Sequence, residues 1–280
     1  MRYIPEKALR ALHAEVEGTC GLYISVPEAG EILGINERLP INAASTIKVP
    51  LLAMLLKDGE EGRLDLDAPV PMDLKNRVPG SGVLKSLGNV TMSLWDYAVL
   101  MTIISDNSAT DMVIDAVGVE RANTFFAEQG WKETHVAGKL YFPKPILPDG
   151  TEDIALVSAA DLGNMMERML AGTLVSESVS RKMMQIMAAQ QLGRFSTAMP
   201  VKRYANTREP LPELPPQGSV IMCNKTGSLF NKVAHDTAAI ILPDGKKATI
   251  TVLTATSDNA KAEDIMKRMA KTLYESLLNA

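Results

Sequence analysis

The sequence is poor in the residue types that bind metals or form cross-links. Its 280 residues include three histidines and two cysteines, and no CxxC or HExxH spacing joins them. A structural or catalytic zinc site is therefore not expected. Cys20 and Cys223 lie in strand-like segments and are predicted to be buried free thiols. Methionine-rich stretches at helical spacing are interpreted as core faces, so no cofactor is predicted.

Long apolar runs and an excess of basic charge are also missing. No run approaches the ~20 apolar residues that a membrane helix needs, so no membrane segment is predicted. The net charge of −4 argues against a nucleic-acid partner. The first 18 residues carry several charges where a signal peptide has an apolar centre, so the sequence as given predicts a cytoplasmic protein. If an export signal had already been removed from the sequence as given, the predicted location would instead be the periplasm or the exterior of the cell.

Hydrophobic residues make up 46% of the chain and charged residues 22%, enough apolar material for a full core. A helix is predicted over 5–17, a hairpin over 21–36, mostly helices over 44–187, a strand at 219–227, a hairpin over 236–256 and a last helix over 259–278. This order predicts an α+β fold. An antiparallel sheet with terminal helices, formed by residues 1–43 and 188–280, is interrupted by an all-helical lobe at 44–187.

Ser45 and Lys48 stand three residues apart at the start of an apolar helix, so their side chains share one face. A serine hydroxyl becomes an effective nucleophile only beside a base. Lysine can be that base if burial or a second cation brings its pKa well below about 10.4. Judged alone, the pair fits a structural role better, as a capping serine and a lysine that reaches water.

Two further motifs change this balance. The S-D-N motif at 105–107 fills the junction of two predicted helices, and the K-T-G motif at 225–227 ends a strand. Each is also natural for its place, since Ser, Asp and Asn are favoured at helix starts. A strand end that offers a cation, a hydroxyl and an unhindered backbone suits a substrate carboxylate. Lys225 would also supply the second positive charge that lowers the pKa of Lys48.

With S-x-x-K, S-D-N and K-T-G in this chain order, the sequence resembles the class A β-lactamase-related serine hydrolases, in the superfamily of β-lactamases and penicillin-binding proteins. The resemblance covers nearly the whole chain and includes the glycine-flanked stretch at 79–87. It implies the β-lactamase/transpeptidase-like fold, a bacterial origin, a small-molecule substrate and an active site in the cleft between the two lobes.

The resemblance also implies a role for each motif residue. Ser45 attacks a carbonyl and forms an acyl-enzyme, and Lys48 activates it directly or through water. Ser105 passes a proton to the leaving nitrogen. The implied catalytic residues are Ser45, Lys48, Ser105 and Lys225, and the implied substrate-binding residues are Asn107, Thr226, Gly227 and Ser228. The backbone N–H groups of Ser45 and Ser228 would form the oxyanion hole.

The loop after the S-D-N helices departs from the family pattern. The class A enzymes carry a glutamate there, in E-x-x-L-N, that serves as the base for deacylation. Here the loop at 138–157 lacks that pattern, and by spacing the expected position falls near Tyr141. The nearest carboxylates that follow are Asp149, Glu152 and Asp153, and Glu152 is the possible displaced base.

Three functions therefore stay open. The leading one is a serine hydrolase that is acylated by a β-lactam, or by a related amide or ester. The acyl group is then released slowly. The second is a true β-lactamase with a displaced base. The third is a sensor that traps a β-lactam or a peptidoglycan fragment. A Ser-His-Asp triad through His235 and Asp236 is disfavoured because neighbours on a strand point to opposite faces. His235 is predicted near the cleft rim.

Overall fold

A computed structural model describes residues 2–140, 146–147, 150 and 153–280. Within these ranges the α-helices are α1 (Glu6–Ala14), α2 (Lys48–Glu60), α3 (Leu94–Ile103), α4 (Asn107–Val117), α5 (Val119–Glu128), α6 (Ala159–Leu170), α7 (Glu177–Met187) and α8 (Asn259–Asn279). The strands are β1 (Thr19–Val26), β2 (Glu31–Ile35), β3 (Ile41–Asn42), β4 (Pro69–Met72), β5 (Val90–Ser93), β6 (His135–Val136), β7 (Ala155–Val157), β8 (Ile221–Leu229), β9 (Val233–Ile241) and β10 (Lys247–Ala255).

Both ends of the chain build one antiparallel sheet in the order β2-β1-β10-β9-β8. The N-terminal hairpin joins the C-terminal strands through β1 and β10, with Leu22 opposite Val252. The edge strand β8 carries the K-T-G motif and runs beside β9, with Gly227 opposite His235. Together with the intervening helices, this sheet confirms the α+β class.

The sheet has a core on each face. On β8, Met222 packs with α1 and α8, while Ile221 and Cys223 pack with helices of the 44–187 segment, as the two-residue period of a strand requires. The helical segment thus shares its core with one face of the sheet. Cys20 and Cys223 are buried free thiols, as predicted. The division into two lobes after residues 43 and 187 stays a prediction.

The helix starts follow local capping chemistry. Ser93, Asp106 and Ser158 accept a backbone hydrogen bond from the residue three positions on, so each satisfies a free N–H at the start of its helix. Gly118 (φ 77°) separates α4 from α5. In each case the capping residue directly precedes an apolar periodic run, which is the sequence pattern of a helix start.

The segment 44–187 also contains short strands that the sequence did not indicate. β4 pairs with β5, and β7 lies between β3 and β6. These pairings span two to four residues, and Pro69 and Pro71 occupy β4. Runs this short give no measurable two-residue period, which is why the interval looked entirely helical. No helix in the described part of the chain is long and apolar enough to cross a membrane.

Candidate active site

Ser45 lies in a 3-10 turn, Ala44–Ile47, directly before α2 begins at Lys48. Pro50 occupies the third position of α2, where its missing N–H costs no helical hydrogen bond. Ala44 has a left-handed backbone (φ 43°) and donates its N–H to Asn42 Oδ1 at 2.8 Å. This turn presents the half-buried Ser45 at the start of a buried helix.

A cleft of about 250 Å³ opens beside Ser45. Asn107 and Ser228 line it together with Ser45, so residues near all three sequence motifs meet at one site. Leu140 and Asp153 line the same cleft. Helix α2, the junction before α4 and the strand β8 therefore converge there, as the resemblance implied.

Lys48 lies beneath the cleft with 1% of its surface exposed. Its Nζ donates to Ser105 O at 2.8 Å, to Ser105 Oγ at 3.0 Å and to Asn107 Oδ1 at 3.1 Å. In the described ranges, Ser45 Oγ forms no hydrogen bond with Lys48 or any other residue. Such contacts are often long in a free enzyme and tighten when substrate binds.

Ser105 connects the two motif lysines. Lys225 is fully buried, and its Nζ donates to Ser105 Oγ at 3.1 Å and to Thr226 O at 2.9 Å. The Ser105 hydroxyl thus accepts from Lys48 and from Lys225. Ser105 holds a left-handed backbone (φ 57°), which is unfavourable for a serine and is typical of functional sites.

Burial and charge lower the pKa of both lysines. The pKa of Lys48 lies well below its ordinary value, chiefly because of burial and then because of the positive charge of Lys225. The carboxylates of Asp106 and Asp111 oppose this shift. Burial lowers the pKa of Lys225 to about 7. Near neutral pH, Lys48 therefore has a larger neutral fraction than a solvated lysine, and the neutral amine is the form that accepts a proton.

The glycine-flanked stretch at 79–87 packs onto the S-D-N turn. Asp106 Oδ2 accepts the Leu84 N–H at 2.9 Å, and Asn107 Nδ2 donates to Pro79 O at 2.9 Å. A Cβ on Gly82 (φ 98°) would lie 2.2 Å from Asp106 Oδ2, so only glycine fits. These contacts orient the Asn107 amide at the wall of the cleft.

Gly227 brings β8 close to the Ser45 turn. A Cβ on this glycine would lie 3.1 Å from Ala43 O and 3.2 Å from Ser45 N. Alternation along β8 places the Thr226 side chain on the face opposite the Lys225 side chain, and Thr226 is 7% exposed. The structure therefore brings Lys225 and Gly227 to the site more directly than the Thr226 hydroxyl.

The prediction that His235 lies near the cleft rim is wrong. His235 is fully buried because β9 is covered on both faces. Its Nε2 lies 2.8 Å from Asn42 O, and its Nδ1 accepts the Thr254 N–H at 3.0 Å. Asp236 points to the other face, where it accepts the Arg194 N–H. The two side chains cannot form a triad.

Sequence reasoning missed Arg194, which closes the far side of the K-T-G strand. Its guanidinium donates to His235 O at 2.8 Å, to Glu263 Oε1 at 2.7 Å and to Ser228 Oγ. No motif surrounds Arg194 in the sequence. Only the pairing of β8 with β9 and the position of α8 bring these partners together.

The loop predicted to carry a base is described only in part. Tyr141, Asp149 and Glu152 lie outside the described residues. Asp153 is described, and its Oδ2 accepts a hydrogen bond from Asn42 Nδ2. In the described ranges, no group of three or more His, Cys, Asp or Glu side chains could hold a metal ion.

Comparisons with known proteins agree with the fold. The beta-lactamase CARB-3 of Pseudomonas aeruginosa is 25% identical over 192 residues, or 67% of this chain, and the match spans 65% of that relative's length. The structure of a beta-lactamase from Sphaerobacter thermophilus is 25% identical and aligns with a TM-score of 0.84 over 99% of both chains. The structure of PBP-A, 23% identical, aligns with a TM-score of 0.80 over 98% of this chain and 96% of that one, and so supports the fold.

The model of one family covers almost the entire chain, residues 4–277. Over the same span, the antiparallel sheet with its terminal helices is the fold that the resemblance implied. The chain belongs to the Beta-lactamase enzyme family.

Proposed function

We propose that the protein is a serine hydrolase that is acylated at Ser45 by a β-lactam or a related amide or ester. The observation that carries this proposal is the Ser105 hydroxyl, held between the buried amines of Lys48 and Lys225 at a cleft that Ser45 lines. A site built only to bind a ligand has no need of two amines with lowered pKa joined through a hydroxyl. Membership in a family of hydrolases supports the same reading.

In the proposed acylation, Ser45 Oγ attacks the substrate carbonyl carbon while its proton passes to neutral Lys48, directly or through water. The carbonyl oxygen becomes an oxyanion, for which the backbone N–H groups of Ser45 and Ser228 are the candidate donors. The carbon–nitrogen bond of an amide or lactam then breaks. Ser105 passes a proton to the leaving nitrogen and regains one from the lysine network.

The remaining motif residues are proposed to hold the substrate. Asn107 Nδ2 uses one N–H on Pro79 O and retains a second for a substrate amide. Lys225 is the proposed contact for a substrate carboxylate, and Thr226 remains a candidate from the sequence. Gly227 leaves room for the substrate backbone to run along β8.

Incubation with a fluorescent penicillin and a chromogenic cephalosporin tests the proposal, with turnover and intact mass followed together. We expect a covalent adduct that peptide mapping places on Ser45. Ser45→Ala should form none, and Lys48→Ala should remain folded and fail to acylate. A Ser45 that stays unlabelled by these compounds and by activated esters would refute the site.

The same experiment separates the alternative functions. Steady hydrolysis without a lasting adduct would identify a true β-lactamase. A lasting adduct with little turnover would identify the slowly deacylating hydrolase, or a sensor that traps its ligand. The difference lies in whether a base activates the water that releases the acyl group.

A further inference from the structure

The structure places a buried carboxylate against Leu140, a described residue close in sequence to the position where the family's glutamate would fall. By its spacing from Ser105, that position falls near Tyr141. Asp111 belongs to α4, and its Oδ1 accepts the N–H of Leu140, the preceding residue, at 2.8 Å. The carboxylate thus belongs to α4 and not to the loop sequence, so no loop motif could reveal it.

Asp111 lies close to residues of the site, and its charge acts on Lys48. It lies one helical turn after Asn107 on the same face of α4, and Asn107 Oδ1 accepts a hydrogen bond from Lys48. Both Asn107 and Leu140, which flank the carboxylate, line the cleft that contains Ser45. Asp111 is 2% exposed. Its carboxylate is therefore held next to the cleft and away from bulk water.

Two buried carboxylates belong to this region, that of Asp106, which caps α4, and that of Asp111 within α4, and they are not equivalent. Asp106 accepts three backbone N–H groups through its two oxygens, so it is fully committed to structure. Asp111 accepts one, and its Oδ2 has no hydrogen-bond partner among the described residues. An oxygen with a free lone pair is what a base for water requires.

The surrounding charges suit a proton acceptor. Burial raises the pKa of Asp111, and the Asp115 carboxylate also raises it. The Leu140 N–H and the positive charges of Lys139 and Lys48 lower it. A carboxylate with a raised pKa accepts a proton from water more readily than a solvated one.

We propose that Asp111 is the general base of deacylation, in place of the absent loop glutamate. The inference rests on the proposed acylation of Ser45. A water in the cleft loses a proton to Asp111 as its oxygen bonds to the acyl carbon. The bond from that carbon to Ser45 Oγ then breaks, and Ser45 takes the proton back. The product is a carboxylic acid, and the free enzyme is restored.

Asp111→Asn is the sharpest test because an asparagine Oδ1 still accepts the Leu140 N–H while basicity is lost. Pre-steady-state labelling with the fluorescent penicillin should give an acylation rate close to that of the parent. Release of the adduct should slow on the order of 100-fold or more, visible as a persistent intact-mass shift. The deacylation rate of the parent should rise with pH as Asp111 loses its proton, and this rise should vanish in the variant.

Three matched variants complete the experiment. Asp115→Asn removes a carboxylate one turn further along α4, and Asp153→Asn and Glu152→Gln remove those of the loop. Asp115→Asn is the control and should release the adduct at close to the parent rate. The two loop variants test the competing bases and should release it far faster than Asp111→Asn. Deacylation of Asp111→Asn at the parent rate, a trapped adduct in Asp153→Asn or Glu152→Gln, or a parent that never releases its adduct would overturn the inference. A parent that forms no adduct would instead refute the proposed function.

Discussion

Ser105 shows how much of the site depends on a single backbone conformation. Its left-handed φ of 57° brings one hydroxyl within 3.0 Å of Lys48 Nζ and 3.1 Å of Lys225 Nζ. The sequence predicted that Lys225 would lower the pKa of Lys48, and the direction is confirmed. Burial is the larger cause. The depth of a lysine below a cleft is set by tertiary packing, so no three-residue motif could reveal it.

Removal of the Lys225 charge should therefore move the pH dependence of acylation. Lys225→Met keeps most of the side-chain volume and removes the cation, so the pKa of Lys48 should rise. Less of Lys48 is then neutral at a given pH, and the acid limb of the acylation profile should shift to higher pH. An ester without a carboxylate is the substrate to use, because its binding does not need Lys225. An unshifted limb would contradict the electrostatic link between the lysines.

Gly227→Ala should impair the site by overpacking. The new Cβ would meet Ala43 O at 3.1 Å and Ser45 N at 3.2 Å, and these backbone atoms can move only together with the nucleophile turn. We expect acylation to fall about tenfold or more and stability to fall by about 1–3 kcal/mol. Gly88→Ala is the control, since nothing lies within 4 Å of its Cβ. Equal acylation rates in the two variants would show that β8 tolerates the shift.

At the scale of elements, the helices and hairpins could be predicted, and the side-chain contacts between distant elements could not. Ser93, Asp106 and Ser158 mark the starts of their helices, and such starts can be recognised in a sequence because capping acts within four residues. The contact of Asp111 with Leu140 joins α4 to a loop 29 residues later, and nothing local encodes it. The same holds for Arg194, whose partners lie 34 to 69 residues further along the chain.

The packing of α5 against α2 gives a prediction at this scale. Arg121 of α5 donates to both carboxylate oxygens of Asp58 at 2.8 Å; the Asp58 side chain is fully buried and that of Arg121 is 46% exposed. Among the described residues, Arg121→Ala leaves the buried Asp58 carboxylate with Arg63, 3.8 Å away, as its remaining cation. Asp58→Asn removes the carboxylate and leaves the Arg121 guanidinium, which is partly exposed and can be solvated by water. Thermal unfolding should show a loss of about 1–3 kcal/mol for Arg121→Ala and a smaller one for Asp58→Asn. The reverse order would contradict this account.

At the scale of the whole molecule, one sheet divides the core and places the site at its edge. The chain ends supply all five strands of that sheet, and the helices between them cover the face that carries Lys225. The sequence predicted this arrangement because helical and strand patterns occupy separate stretches of the chain. It misplaced His235 because the strand pattern does not reveal that β9 is covered on both sides.

That buried histidine gives the fold a dependence on pH. Burial lowers the pKa of His235 to about 4, below the 6.5 of a solvated histidine. Between these values the unfolded chain binds the proton and the folded chain does not, so stability must rise with pH in this interval. The neutral ring accepts the Thr254 N–H at Nδ1 and can donate from Nε2 to Asn42 O, and a protonated ring would lose the first of these bonds. The contribution is fully present above about pH 6.5 and is lost as the pH falls toward 4, on the order of 3 kcal/mol in all.

His235→Gln isolates this contribution, because a glutamine can donate to Asn42 O and accept from Thr254 N–H without titrating. Denaturant unfolding from pH 4 to pH 8 should give a steeper fall in the free energy of unfolding for the parent than for the variant below pH 6.5. The difference between the two curves is the quantity to compare, since buried carboxylates such as Asp236 have raised pKa values and act in the opposite direction. Two parallel curves would mean that His235 has the same pKa in the folded and unfolded chains, which would contradict the prediction.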